Sequence, residues 1–315
     1  MRSVPVARPP RGEDAAEHDL RRDAAATSLA DPDLFLAIDD LDLSTRALVD
    51  AVVAGNHRGA KVGPGSEFAQ HRDYRIGDDL RRINWRLYGR TRRLHVKEVF
   101  AEATMPVHLV LDASASMRTG TPTKSRYAAQ LAAAFAFLAL RGRDPVGLRV
   151  ARRTVVEALP ARAASTQFQD ILAALEAHAP ADAGDLGAAL GEVAESCRQR
   201  GLVVVVSDFV GAVEPTCASL AMLREIGHEV IAVQVLAPVE VELPAAGDFE
   251  FIDPESGAPV KTAVEPIREP YAAAVRAWRA ELRAACEALG VHWRSVTTAE
   301  PLAPLLQDVT AALRG

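Results

Sequence analysis

The sequence predicts an α/β protein built on a doubly wound, mostly parallel sheet with helices on both faces, preceded by a smaller basic subdomain. Three observations carry that prediction. Val107 to Leu111 (VHLVL) and Leu202 to Val206 (LVVVV) are short apolar runs rich in branched side chains, the pattern of strands buried on both faces. From residue 107 onward, strand-like runs alternate with helical periodicity, the order that crossover helices impose on a parallel sheet. Both apolar runs end in oxygen-bearing residues, Asp112–Ala113–Ser114–Ala115–Ser116 and Ser207–Asp208. These stand at strand carboxyl ends, where ligands gather in such sheets.

Composition sets the frame. A chain of 315 residues, 49% hydrophobic and 25% charged, has room for one large domain and an appendage. Its net charge of −6 argues against a general nucleic-acid binder. Cys197, Cys217 and Cys286 lie far apart without CxxC spacing, so neither a zinc site nor a disulfide framework is indicated, and a reducing, cytoplasmic setting is expected. No apolar run approaches the roughly 20 residues of a membrane span. Residues 1–31 lack a continuous apolar core, which predicts a disordered leader rather than a signal peptide.

The next stretch, 32–104, is expected to form the smaller subdomain. Leu34, Leu36, Ile38, Leu41, Leu48, Val52 and Val53 fall at helical spacing and predict one or two amphipathic helices over 31–54. Beyond Gly55, Gly59, Gly63 and Gly65 the chain becomes dense in charge and aromatics. From Lys61 to Lys97 there are ten Lys and Arg against four Asp and Glu, a basic block in an acidic protein. Such a block can meet phosphates or an acidic partner, and Arg75, Asp78, Asp79, Arg81, Trp85 and Arg90 are the candidate contacts. Arg also pairs bidentately with Asp and stacks on Trp, so an internally paired subdomain is the simpler reading of the same residues.

The larger domain is expected over 105–315. After the Val107–Leu111 strand, Tyr127 to Leu140 is a helix of Ala, Leu and Phe, apolar enough to be buried against a sheet. Asp144–Pro145 breaks it, and Val146–Val150 with Thr154–Leu159 predict a hairpin at a sheet edge. Ser165 to Ala177 carries Phe168, Ile171, Leu172 and Leu175 on one helical face. Another helix is predicted from Leu186 to Arg200, ended by Gly201. Then follow the Leu202–Val206 strand, a helix from Glu214 to Ile226, a strand from Glu229 to Leu236, and a strand pair around Phe249–Ile252 and Pro259–Val264. The chain closes with a helix from Pro270 to Leu289, a strand from Val291 to Thr297 and a helix from Leu302 to Leu313. Trp278 and Trp293 lie in apolar patterns and are expected in the core, and His108, inside a strand, is expected to point into packing.

The Asp-x-Ser-x-Ser loop at 112–116 supports two readings. Hard divalent cations want oxygen ligands in near-octahedral array, which one carboxylate and two hydroxyls on a rigid strand end supply. Asp and Ser at a strand-to-helix turn also cap helices.

The run Arg-x-Tyr-x-x-Gly-Asp-Asp-x-Arg-x-Ile-x-Trp, from Arg72 to Trp85, with its Arg90–Lys97 tail, resembles the signature of the bacterial domain-of-unknown-function 58 family (DUF58). Asn84 stands where that family has Asp. The resemblance implies a von Willebrand factor type A-like, Rossmann-like domain carrying a basic N-terminal insert, working beside a MoxR-type AAA+ ATPase. It also implies a metal-ion-dependent adhesion site holding Mg2+, with Mn2+ or Ca2+ as substitutes. Asp112, Ser114 and Ser116 match its first part and Asp208 its last. Relatives carry Gly-Thr-Asp-Leu in the intervening loop; here Ala183–Gly184–Asp185–Leu186 puts Gly184 in place of the Thr. Asp185 is then either a substitute ligand or the cap of the helix beginning at Leu186, and capping is the simpler role.

Nothing near the pentad offers a His with an orienting acid to activate Ser114 or Ser116, and neither a phosphate loop nor His-Glu-x-x-His is present. The expectation is therefore a non-enzymatic interaction module or adaptor, no enzyme, with the ATPase or other von Willebrand A-like proteins as partners. Its alternatives are a metal-dependent hydrolase using Asp112 and Asp208, and a nucleic-acid binder through the Arg-rich insert.

Overall fold

The computed structural model describes residues 6–8, 62–75, 83–100 and 104–312. The chain separates into two compact units, one of 49–104 and one of 1–48 with 105–315. The helices expected over 31–54 lie outside the described residues. Of the leader expected over 1–31, the structure describes Val6–Arg8, which forms a strand, β1.

In the smaller unit, β2 (Val62–Asp73) pairs antiparallel with β3 (His95–Phe100), with irregular register between Val62 and Gln70. Between them lies helix α1 (Trp85–Thr91). Asn84 caps it: its side-chain oxygen accepts from the Leu87 amide at 3.2 Å. Asn and Asp serve equally at this position, which is why the family's Asp is dispensable here. Ile83 bridges to Val96, and both are buried.

The larger unit is organised by a six-stranded sheet. Its strands are β4 (Val107–Asp112), β5 (Val146–Ala151), β6 (Val155–Arg162), β7 (Leu202–Ser207), β8 (Glu229–Leu236) and β11 (His292–Thr297). They are ordered β11-β8-β7-β4-β5-β6, all parallel except β6, which returns antiparallel along the edge. The central strands β4 and β7 are buried at every residue, as continuous apolar runs require. In β6 burial alternates residue by residue, as on an edge strand with one covered face. Two further strands, β9 (Asp248–Ile252) and β10 (Pro259–Ala263), form the predicted antiparallel pair, which β1 joins on the far side of β9.

Helices flank the central sheet. Helix α2 (Lys124–Arg141) packs on β4, β5, β7 and β8, and α3 (Gln167–Ala177) packs on α2. Helix α4 (Leu186–Ser196) pairs with α5 (Val213–Ile226), and together with α7 (Arg268–Ala288) they share a core with Val203, Val205, Val230 and Ala232 of the sheet. A single turn, α6 (Pro238–Val241), follows β8, and α8 (Leu302–Ala312) closes the chain against β11. In α7 the stripe Val275, Trp278, Leu282, Cys286 is buried at i, i+3, i+7, i+11, which holds an otherwise polar helix on the sheet. Trp278 and Trp293 are both core residues, as expected.

Two helix limits differ from the sequence reading by three residues or more. α2 begins at Lys124, three residues early, because Thr123 caps it by accepting from the Arg126 amide. α4 stops at Ser196 rather than Arg200. There the Cys197 carbonyl is taken by His228 Nε2 at 2.6 Å, and the backbone at Cys197 has left helical geometry.

Candidate functional site

The two central strands bring the predicted carboxylates together. β4 and β7 run parallel in register Leu111↔Val206, so Asp112 and Ser207–Asp208 leave the sheet side by side. Asp112 is locked by two neighbours: the Ser114 amide donates to its Oδ1 at 2.8 Å and the Ser207 hydroxyl to its Oδ2 at 2.5 Å, while Ser207 Oγ in turn accepts from the Phe209 amide at 2.9 Å. Phe209 turns the chain with φ of 56°, a left-handed conformation that a bulky residue holds only when its surroundings impose it. Its ring is pinned edge-on against Trp293, 5.0 Å between centroids.

After Asp112 the chain enters a 3-10 turn, Ala115–Arg118, and Ser114 Oγ lies 3.0 Å from Ser116 Oγ. Adjacent ligands of an octahedral magnesium ion are about 2.9 Å apart, so the two hydroxyls have the spacing of neighbouring ligands. Among the described residues no three His, Cys, Asp or Glu side chains are grouped to hold a metal. An ion here would therefore lean on the serines.

A loop from α3 to α4 lies over the pentad. Ala115 N donates to the Asp182 carbonyl at 2.8 Å and Ala181 N to the Ala113 carbonyl at 3.0 Å. Gly184 sits directly on the site: a Cβ there would be 2.7 Å from Ser114 Cβ and 4.0 Å from Asp112 Oδ1. A threonine would not fit without displacing the serine, so the glycine permits the loop's close approach. Asp185 caps α4, accepting from the Ala188 amide at 3.0 Å. Under this loop Asp112, Ser114, Ser116 and Asp208 are all buried. Beside Asp112 lies a cavity of about 300 Å³ lined also by Ala113, by Thr123, Ser125 and Arg126 of the start of α2, and by Glu176 and His178 of the end of α3.

The residue the sequence reading missed is Lys124. Its side chain is 0% exposed, and its ammonium donates to Asp208 Oδ2 and to Glu240 Oε1, both at 2.7 Å. The remaining oxygens of the two carboxylates are taken by backbone: Asp208 Oδ1 accepts from Val210 N at 2.9 Å and Glu240 Oε2 from Ala237 N at 2.7 Å. A signal was present, because Lys124, Tyr127, Ala128 and Leu131 share one buried helical stripe at i, i+3, i+4, i+7. A lysine on such a stripe needs a buried acid. Glu240 gave no comparable sign.

The electrostatics follow from three buried carboxylates at this edge, two of which share the Lys124 ammonium. Burial, and then the like charge of Asp208, push the Asp112 carboxyl up to about 6 against the hydrogen bonds from Ser207 and Ser114. Burial by itself would lower Lys124, but the charges of Asp208 and Glu240 outweigh it and hold the ammonium above its ordinary value. At Glu240 burial, together with Asp208, wins over Lys124 and raises the carboxyl. At the opposite end of β4, His108 is buried as expected, with Nδ1 3.5 Å from Cys197 Sγ and its ring edge-on to His228. Burial, then His228 and Arg149, lower it to about 4.

Of the predicted contact residues in the smaller unit, Asp78, Asp79 and Arg81 lie outside the described residues. Arg75 and Arg90 are exposed, and Trp85 is 62% exposed, edge-on to Tyr88. Asp73 pairs with Arg93 at 3.3 Å, an exposed contact of the internally paired kind.

Comparison with known proteins places these features in context. A family described as protein of unknown function DUF58 matches residues 70–281. The uncharacterized protein Rv1480 of Mycobacterium tuberculosis is 34% identical over 294 residues, 90% of this chain and 92% of that one. The uncharacterized protein MAV169 of Mycobacterium avium is 31% identical over 137 residues, 42% of this chain and 78% of its own. Among solved structures, the conserved hypothetical protein BatB from Bacteroides thetaiotaomicron is similar at 18% identity and TM-score 0.43, over 66% of this chain and 98% of that one. An aerotolerance-related membrane protein from Bacteroides fragilis is similar at 18% identity and TM-score 0.46, over 67% and 98%.

Proposed function

The chain belongs to the DUF58 family, and from that premise and the geometry of the sheet's carboxyl edge we propose that it is a non-enzymatic protein–protein interaction module. In this reading the larger unit is von Willebrand A-like, and a divalent ion, Mg2+ first, is held by Asp112, Ser114 and Ser116. The observation that carries the reading is the buried charge at this edge: Asp112, Asp208 and Glu240 against the single ammonium of Lys124. Uncompensated buried negative charge is costly, and a cation is the direct remedy. When bound, the ion supplies an electrophilic position that an incoming carboxylate can fill.

The chain's own residues prepare that position. Ser207 and the Ser114 amide fix the Asp112 carboxylate, and the loop carrying Gly184 lies against Ser114. The cavity beside Asp112 is where a side chain from a partner would enter. Family resemblance suggests the partner, a MoxR-type AAA+ ATPase, and an adaptor role. The exposed Trp85 with Arg90 offers a second contact surface of the smaller unit. Against the hydrolase alternative stands the Lys124 ammonium on Asp208 Oδ2, a positive charge where a second metal-ligating carboxylate would be needed.

The test is capture of the ATPase by the full chain. Asp112→Ala and chelation of Mg2+ are each expected to weaken capture. Undiminished capture under both conditions overturns the metal-bridged form.

A further inference from the structure

Asp208 is the last of the residues that family resemblance matches to an adhesion-type metal site, yet the group against it is a lysine from the same chain. Lys124 leaves the first residue of α2, runs fully enclosed under the sheet edge, and ends between Asp208 of β7 and Glu240 of α6. Each carboxylate gives one oxygen to the ammonium at 2.7 Å and the other to a backbone amide. Two carboxylates converging on a compact positive charge is an arrangement that also suits a hard divalent ion.

We propose that Lys124 is the resident cation of the Asp208–Glu240 pair, a built-in ammonium occupying a position that a divalent ion would otherwise take. This goes beyond the reading above, since it concerns the Asp208 half of the site and does not depend on whether Asp112, Ser114 and Ser116 hold an ion. It assigns Lys124 a specificity role. A covalently tethered charge keeps α2, the end of β7 and α6 joined at any metal concentration, and it withdraws Asp208 from ligating an external ion.

The consequence is a gain of metal binding when the ammonium is removed. Lys124→Met keeps the length and apolar stem of the side chain and leaves two buried carboxylates without their cation. Lys124→Met combined with Glu240→Gln removes one positive and one negative charge, so the buried charge stays that of the wild type. Mn2+ is titrated calorimetrically into the full-length wild type and both variants, with thermal unfolding followed in chelator and in Mn2+.

Lys124→Met is expected to bind Mn2+ at least about tenfold more tightly than wild type, to show a larger Mn2+-dependent rise in midpoint, and to lose both gains when Asp208→Asn is added. If Lys124→Met unfolds in chelator, refolding by Mn2+ but not by K+ at equal ionic strength supports the proposal. In that case refolding by both ions alike, or by neither, overturns it. Equal Mn2+ affinity in the wild type and both folded variants overturns the resident-cation role while leaving the Asp112–Ser114–Ser116 reading intact. Binding by the variants with none by the wild type supports this role and removes the metal-bridged docking instead. No binding by any of the three overturns both.

Discussion

At the scale of single residues, β4 carries two buried ionisable groups that respond to pH in opposite senses. His108 sits near 4 in the folded chain, below the 6.5 of an exposed imidazole, so the unfolded chain takes up a proton first as pH falls. Its contribution to stability is whole above about pH 6.5 and is lost toward pH 4, to the extent of about 3 kcal/mol. Asp112 is raised to about 6 from 3.8. Here the folded chain keeps the proton longer, so stability declines as pH rises from about 4 to about 6. Urea unfolding in chelator across this range should show difference curves of opposite slope: wild type loses stability relative to His108→Leu toward acid, and relative to Asp112→Asn toward neutral pH. Parallel or flat difference curves would refute the assignment of these two groups as buried titrating sites.

At the scale of elements, the loop between α3 and α4 is fitted to the pentad more tightly than a family-like threonine allows. Its backbone bonds to Ala113 and Ala115 and the 2.7 Å approach at Gly184 leave no room for a side chain. Gly184→Thr should therefore destabilise the chain by about 1–3 kcal/mol through overpacking, measured by chemical unfolding, without tightening Mg2+ binding. A variant as stable as wild type with tighter Mg2+ binding would mean that the loop yields easily and that the missing hydroxyl alone limits the site. The Asp185 cap belongs to the same element. Because its carboxylate is used by the Ala188 amide, its first role is to start α4.

At the scale of the molecule, the two compact units offer separate surfaces. Trp85 and Arg90 on α1 are exposed, so replacing them removes contact area without opening a core. Trp85→Ala is expected to leave the unfolding free energy within about 0.5 kcal/mol of wild type while weakening ATPase capture, checked by denaturation and pull-down on the same preparation. Full capture by a stable Trp85→Ala protein would exclude α1 as a contact. Among the described residues no helix is long and apolar enough to cross a membrane.

The sequence by itself determined the strands from residue 107 onward, the mostly parallel sheet, the edge hairpin and the placing of Asp112 and Asp208 at strand carboxyl ends. Each of these follows from local periodicity and from the rule that buried parallel strands present their carboxyl ends together. Helix limits were less legible. The early stop of α4 depends on His228, 31 residues further on, reaching the Cys197 carbonyl. Only the tertiary structure decided what surrounds the carboxylates. Lys124 finds Asp208 at a separation of 84 residues and Glu240 at 116, and no local pattern encodes a partner at such distance. Burial compels a lysine to find an acid, but the packing of α2 and α6 against the sheet chooses which acid it meets.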